Sequence, residues 1–338
     1  MAPTVLTARR MTSLLLVPLV ACSSGQAGYV DPGATLSPPA SSGGGATDAG
    51  KTASGPDAQP SPQPDAQPGK GPDASVEGGS SGADGGADAT PPVASPSGEA
   101  MPSGDLPGWH QVFADDFTTD VPIGSFPQAV SSKWDAYPDG WHDTSGNGTY
   151  YPSRVISVAG GVLSIHLHTE TVGGASVHMV SAPEPKIPGA MGSEGGLLYG
   201  RYVIRFKADP VQGYKTAWLL WPDSELWPQD GEVDFPEGDL DGTFGAYMHR
   251  QNGTSGGDQD AFDSSNTYSS WHTAALEWTA QSINFMVDGA SIGTSTAAIP
   301  DTPMHWVLQT ETALGGTAPS DGAEGNVQID WAVVYVPQ

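Results

Sequence analysis

Two rhythms divide the chain. In its C-terminal two thirds, apolar and polar positions alternate in short runs: Leu163, Ile165 and Leu167 are spaced by Ser164 and His166, and Tyr202, Ile204, Phe206 and Ala208 by Val203, Arg205 and Lys207. A period of two is the signature of strands with one face buried. Ser282 to Val287, the pair Asp288-Gly289, and Ala290 to Ile292 read as a hairpin with its two turn residues. No stretch keeps a helical apolar period with caps. Short strands broken by Gly, Pro and Asn predict an all-β, two-sheet jelly-roll sandwich over residues 106–338, a length suited to one large β-domain.

The other rhythm has almost no apolar content. From Ser23 to Asp105 the chain is Gly, Pro, Ala, Ser and Asp, with imperfect repeats at Pro56-Asp57-Ala58-Gln59-Pro60, Pro64-Asp65-Ala66-Gln67-Pro68 and Pro72-Asp73-Ala74. Tyr29 is its only aromatic residue. Such a segment cannot bury enough surface to offset chain entropy, so 22–105 is expected to be a disordered tether. Ahead of it, Arg9-Arg10 precedes the apolar run Leu14 to Val20, too short to cross a bilayer and suited to an export signal over 1–21. The arginine pair hints at twin-arginine export, though its flanks match that pattern poorly. Leu19-Val20-Ala21-Cys22 resembles a lipoprotein processing site, and Cys22 is the only cysteine, which makes it a lipid attachment point rather than a structural thiol. The expected location is the cell surface or periplasm, with membrane contact only through that lipid.

Net charge is −26, from 38 acidic and 12 basic residues. That balance argues against nucleic acid and anionic lipid as partners, and favours a neutral polymer over a sulfated one.

The candidate chemistry lies in Gly231-Glu232-Val233-Asp234-Phe235-Pro236-Glu237-Gly238. Residues two apart on a strand face the same way, so Glu232 and Asp234 share a side. Glu237 joins them if one extra residue is taken up as a β-bulge, and Pro236 supports a bulge there. Two carboxylates on one face suit glycosidic cleavage, with one attacking and the other donating a proton, and a third acid helps to separate their pKa values. An EF-hand starting at Glu237 fails, because its twelfth position is Met248.

At these residues the chain resembles glycoside hydrolase family 16, whose bulged signature is Glu-x-Asp-x-x-Glu. The likeness continues through Ala217 to Pro222, Gly200 to Lys207, Trp271-His272-Thr273 with Leu276-Glu277-Trp278, Val287-Asp288-Gly289, and Ile329 to Tyr335. The resemblance implies a concanavalin-like sandwich with its cleft on the concave sheet. It implies a retaining endo-β-glycosidase acting on β-1,3- or β-1,3/1,4-glucan as a monomer. Glu232 would be the nucleophile, Glu237 the acid/base and Asp234 the residue that orients Glu232. A transglycosylase or a non-catalytic lectin on the same scaffold are the rival readings. The resemblance also implies Arg201 as a cleft arginine and His249 as a cleft histidine near Glu237. Trp218, Trp221 and Trp227, aromatic faces just before the motif, are expected to line the cleft with Gln309, while Trp278 and Trp331 read as core. No cofactor is required. A structural calcium would sit at Asp330 and Asp116, on the terminal strands.

Overall fold

A computed structural model describes residues 95–338 of the chain, apart from Ser193, Gly315 and Gly316. The leader, Cys22 and nearly all of the Pro/Gly-rich segment lie outside these residues.

The alternating runs become strands of two antiparallel sheets stacked face to face. One sheet has five strands, in the order Gln259–Thr267, Thr243–His249, Glu232–Asp239, Tyr214–Pro222 and Met304–Thr312. The other has ten, with Gly200–Ala208 and Gly325–Pro337 at its centre. Helix is confined to single turns at Pro152–Val155 and Gln128–Val130 among the described residues.

Apolar faces of the two sheets meet in one core. Phe206, from the ten-stranded sheet, packs edge-on against Trp218 and Phe244 of the other, with ring centres 5.2 and 5.4 Å apart. Tyr202 meets Trp306, and Phe235 meets Phe285, in the same way. The predicted hairpin is present: Val287 pairs with Ala290, and both turn residues have positive φ, 49° at Asp288 and 80° at Gly289. Asp and Gly accept that conformation more readily than β-branched residues do, which explains why this pair occupies the turn.

The tether prediction needs a correction at its end. Residues 95–105 are packed, not free: Arg205 pairs with Glu99 at 2.9 Å, the Trp331 indole donates to the Glu99 carbonyl at 2.9 Å, and Gln111 donates to the Pro102 carbonyl at 2.9 Å. They cover an apolar patch of Val203, Ala275, Trp331, Val333 and Tyr335 on the outer face of the ten-stranded sheet. Composition missed this because only Met101 and Leu106, two isolated apolar residues, anchor the segment.

Candidate active site

The strand Glu232–Asp239 carries the site, and its pairing shows how. Glu232 lies opposite His249, Asp234 opposite both Tyr247 and Leu219, and Glu237 opposite Gly245 and Ala217. The register slips between Asp234 and Glu237 against both neighbours. Directly opposed residues share a face, so the slip puts all three acids on the side away from the core while Phe235 turns into it. Gly231 opens the strand at φ 76°, and a Cβ there would lie 2.6 Å from the His249 carbonyl oxygen. Only glycine fits that approach.

All three acids are buried, Glu232 completely. Burial, followed by the charges of Asp234 and Glu237, pushes the Glu232 carboxyl well above the ordinary carboxylate range. Burial also pushes Glu237 up, to about 7, against the opposing pull of Lys215. The Lys215 ammonium sits 2.5 Å from Glu237 Oε1. Burial opposes its charge, but Glu237 and Glu311 more than compensate and hold it above the usual lysine range. His249 Nε2 lies 3.4 Å from Asp234 and 3.8 Å from Glu232. Burial acts against its protonation too, yet Asp234 and Glu237 outweigh it and raise its pKa.

Other predicted residues sort into two groups. Gln309 is on the site's face, opposite Ala217, and donates to the Tyr150 hydroxyl at 2.7 Å. Trp221 and Trp227 stack near-parallel with centres 6.4 Å apart, and Trp227 meets the His249 ring edge-on at 6.0 Å. These three keep a place at the site. Trp218 does not: it is fully buried against Phe206 on the core side, because its parity along the strand is opposite to that of Ala217 and Leu219. Arg201 does not either. It belongs to the ten-stranded sheet, pairs with Glu277, and faces outward beside Val203 and Trp331. His249 stays, but beside Glu232 and Asp234 rather than Glu237.

The sequence reading missed Lys215, Glu311, Tyr137 and Tyr150. Glu311 accepts from the Thr144 hydroxyl and the Tyr150 hydroxyl, each at 2.7 Å, and lies opposite Lys215 across the strands. Tyr137 meets Tyr150 edge-on at 5.4 Å, while burial and the surrounding acids Glu184, Glu225, Glu311 and Glu232 push its hydroxyl pKa well up. Lys215 had a legible signal, a single charge inside the otherwise uncharged strand Tyr214–Pro222. Tyr150 ends the short strand Gly148–Tyr150 and Tyr137 follows another, Trp134–Ala136, and no local pattern encodes their approach to the site.

Asp330 accepts from the Ser95 hydroxyl and, at 3.1 Å, from the Ser97 amide. Asp116 is exposed, and its main-chain oxygen would lie 3.9 Å from a Cβ on Gly161, which also borders Pro96. The Asp330 carboxylate is thus engaged by Ser95 and Ser97, while Asp116 lies exposed beside Gly161. Among the described residues, the only set of three acids and histidines able to converge on one ion is Glu232, Asp234 and His249.

A jelly-roll sandwich presenting two glutamates and an aspartate on a bulged strand, flanked by stacked tryptophans, defines a glycoside hydrolase. The model for glycosyl hydrolases family 16 matches residues 151–333, and the chain belongs to that family. It is 26% identical over 204 residues to a beta-glucanase of Brevibacillus brevis, covering 56% of this chain and 72% of the relative. Among solved structures it is similar to the laminarinase of Rhodothermus marinus, with TM-score 0.55, 23% identity, and 68% and 98% of the two chains covered. It is also similar to an endo-acting O-glycanase of the human gut microbiota that initiates mucin breakdown, with TM-score 0.57, 20% identity, and 70% and 94% covered.

Proposed function

We propose that the protein is a retaining endo-β-glucanase cutting β-1,3- or β-1,3/1,4-glucan. The observation that carries this reading is the bulge that brings Glu232, Asp234 and Glu237 to one face of the strand. The similarity to a beta-glucanase and to a laminarinase supports the substrate class. Glu232 attacks the anomeric carbon, Glu237 protonates the departing oxygen, and the resulting glycosyl ester is hydrolysed with Glu237 as base. Asp234 orients Glu232, and His249 lies beside them, where burial acts against its proton but Asp234 and Glu237 raise its pKa; whenever it carries that proton it favours the ionised nucleophile. The order of the two glutamates rests on the family motif.

The test is reducing-end release from laminarin, lichenan, xyloglucan, agarose and mucin, beside Glu232→Gln. The expected result is activity on the two glucans that the substitution abolishes. Cleavage of another polymer, or of none, would refute the substrate assignment. Trapping with a mechanism-based glycosyl inactivator and mapping the labelled peptide should find Glu232; a label on Glu237 would reverse the two roles.

The chemistry is carried by side chains and calls on no cofactor. We propose a structural calcium at Asp330 and Asp116 on the strength of the family resemblance, carboxylates being hard oxygen donors. Export and lipidation at Cys22 are proposed on the strength of the leader sequence alone.

A further inference from the structure

A lysine bound to a catalytic acid is chemically awkward, because a cation at 2.5 Å favours loss of the proton that the acid must give. Lys215 and Glu237 are both buried, with side chains only 3% and 2% exposed, so water does not screen the pair. Lys215 lies opposite Glu311 on one neighbouring strand and opposite Asp239 on the other, two residues along from Glu237. The charged and titratable groups around Glu237 are Asp234 and Glu232 on its own strand, His249 on the next, Lys215 and Glu311 on the other side, and the buried Tyr268.

We propose that Lys215 is a positioning residue that fixes the Glu237 carboxyl and times its change from acid to base. This rests on Glu237 being the acid/base. In the reactive protonation state Glu232 is ionised and Glu237 holds the proton, which burial and the negative charge of Asp234 keep in place against Lys215 and to which the Glu232 charge adds. Attack by Glu232 forms its C–O bond to the anomeric carbon as the glycosidic C–O bond breaks. The Glu237 proton goes to the departing oxygen. Glu232 is then a neutral ester, and the pull of Lys215 on the ionised Glu237 has one opponent fewer. Glu237 therefore remains a carboxylate, able to take a proton from the incoming water as that water's oxygen displaces Glu232. Burial explains why one charge can govern this step, since at low effective dielectric a neighbouring cation moves a carboxyl pKa by roughly one to three units.

The test compares wild type, Lys215→Met, Lys215→Arg and Glu237→Gln by the pH dependence of kcat/KM and by intact-mass detection of glycosyl-enzyme during turnover. Lys215→Met should move the alkaline limb upward by about one to three pH units and accumulate the covalent intermediate. Lys215→Arg, which keeps the cation, should restore both toward wild type. An unmoved alkaline limb in folded Lys215→Met, with no accumulation, overturns the proposal. If Lys215→Met does not fold, Lys215→Arg decides alone: an alkaline limb shifted by more than a unit together with accumulated intermediate would refute a role carried by charge. Glu237→Gln separates this inference from the reading beneath it. Loss of the alkaline limb there upholds Glu237 as acid/base whatever Lys215 does, and its survival removes that reading first.

Discussion

Replacing Trp218 by alanine separates the core reading of this residue from the cleft reading that its neighbourhood suggests. Its indole is fully buried between the sheets, in edge contact with Phe206 at 5.2 Å. Removing a buried Trp side chain costs about 3–5 kcal/mol, because the lost transfer energy is joined by that of an incompletely collapsed cavity. For a domain of this size each kcal/mol lowers the midpoint by roughly 2–4 °C, so the expected fall is about 6–20 °C. Thermal unfolding followed by near-ultraviolet circular dichroism measures it, and initial rates well below the transition give KM on the same preparation. Stability should drop with KM unchanged. A midpoint within about 2 °C of wild type with KM raised several-fold would place the indole in the cleft and refute the strand parity on which the site is built.

Three further outcomes follow from the same geometry. Trp227→Ala should raise KM about 3–10-fold, the equivalent of roughly 0.5–1.5 kcal/mol of lost aromatic stacking, while Arg201→Ala, on the opposite sheet, should leave KM alone; the reverse result in substrate titrations would contradict both placements. Glu184 and Glu237 have carboxyls raised to about 7 and His249 a raised imidazole pKa. The folded state therefore binds protons more tightly than the unfolded chain, and the resulting stability is complete below the unfolded carboxyl pKa near 4.5 and lost as pH rises through about 7. Melting temperature should accordingly fall between pH 5 and pH 8, and a rise across that interval would be the wrong sign. Chelation with EGTA should lower the midpoint of wild type and leave that of Asp330→Asn unmoved; equal midpoints with calcium and with EGTA in wild type would remove the ion from this position.

The sequence by itself determined a good deal. Period-two alternation specified the strands, because side chains on a strand point to opposite faces and the buried face must be apolar. Asp288-Gly289 specified a turn, since its backbone conformation needs residues tolerant of positive φ. The spacing Glu232, Asp234, Glu237, with Gly231 ahead and Pro236 inside, specified a bulged acidic strand. These are local relations, satisfied within a few residues. What only the tertiary structure decided is which strands become neighbours and which face of each meets the core. That choice sent Trp218 inward and Trp221 to the cleft, although the two stand three residues apart in the same run. It carried Arg201 to the far sheet, where Glu277 is its partner. It brought Lys215 to Glu237 and Tyr150 to Glu311 over separations of 22 and 161 residues. Pairings at that distance depend on the register of whole sheets and on the closure of loops, and the free energy that selects them comes from burying the core, not from any pattern local to the residues that meet.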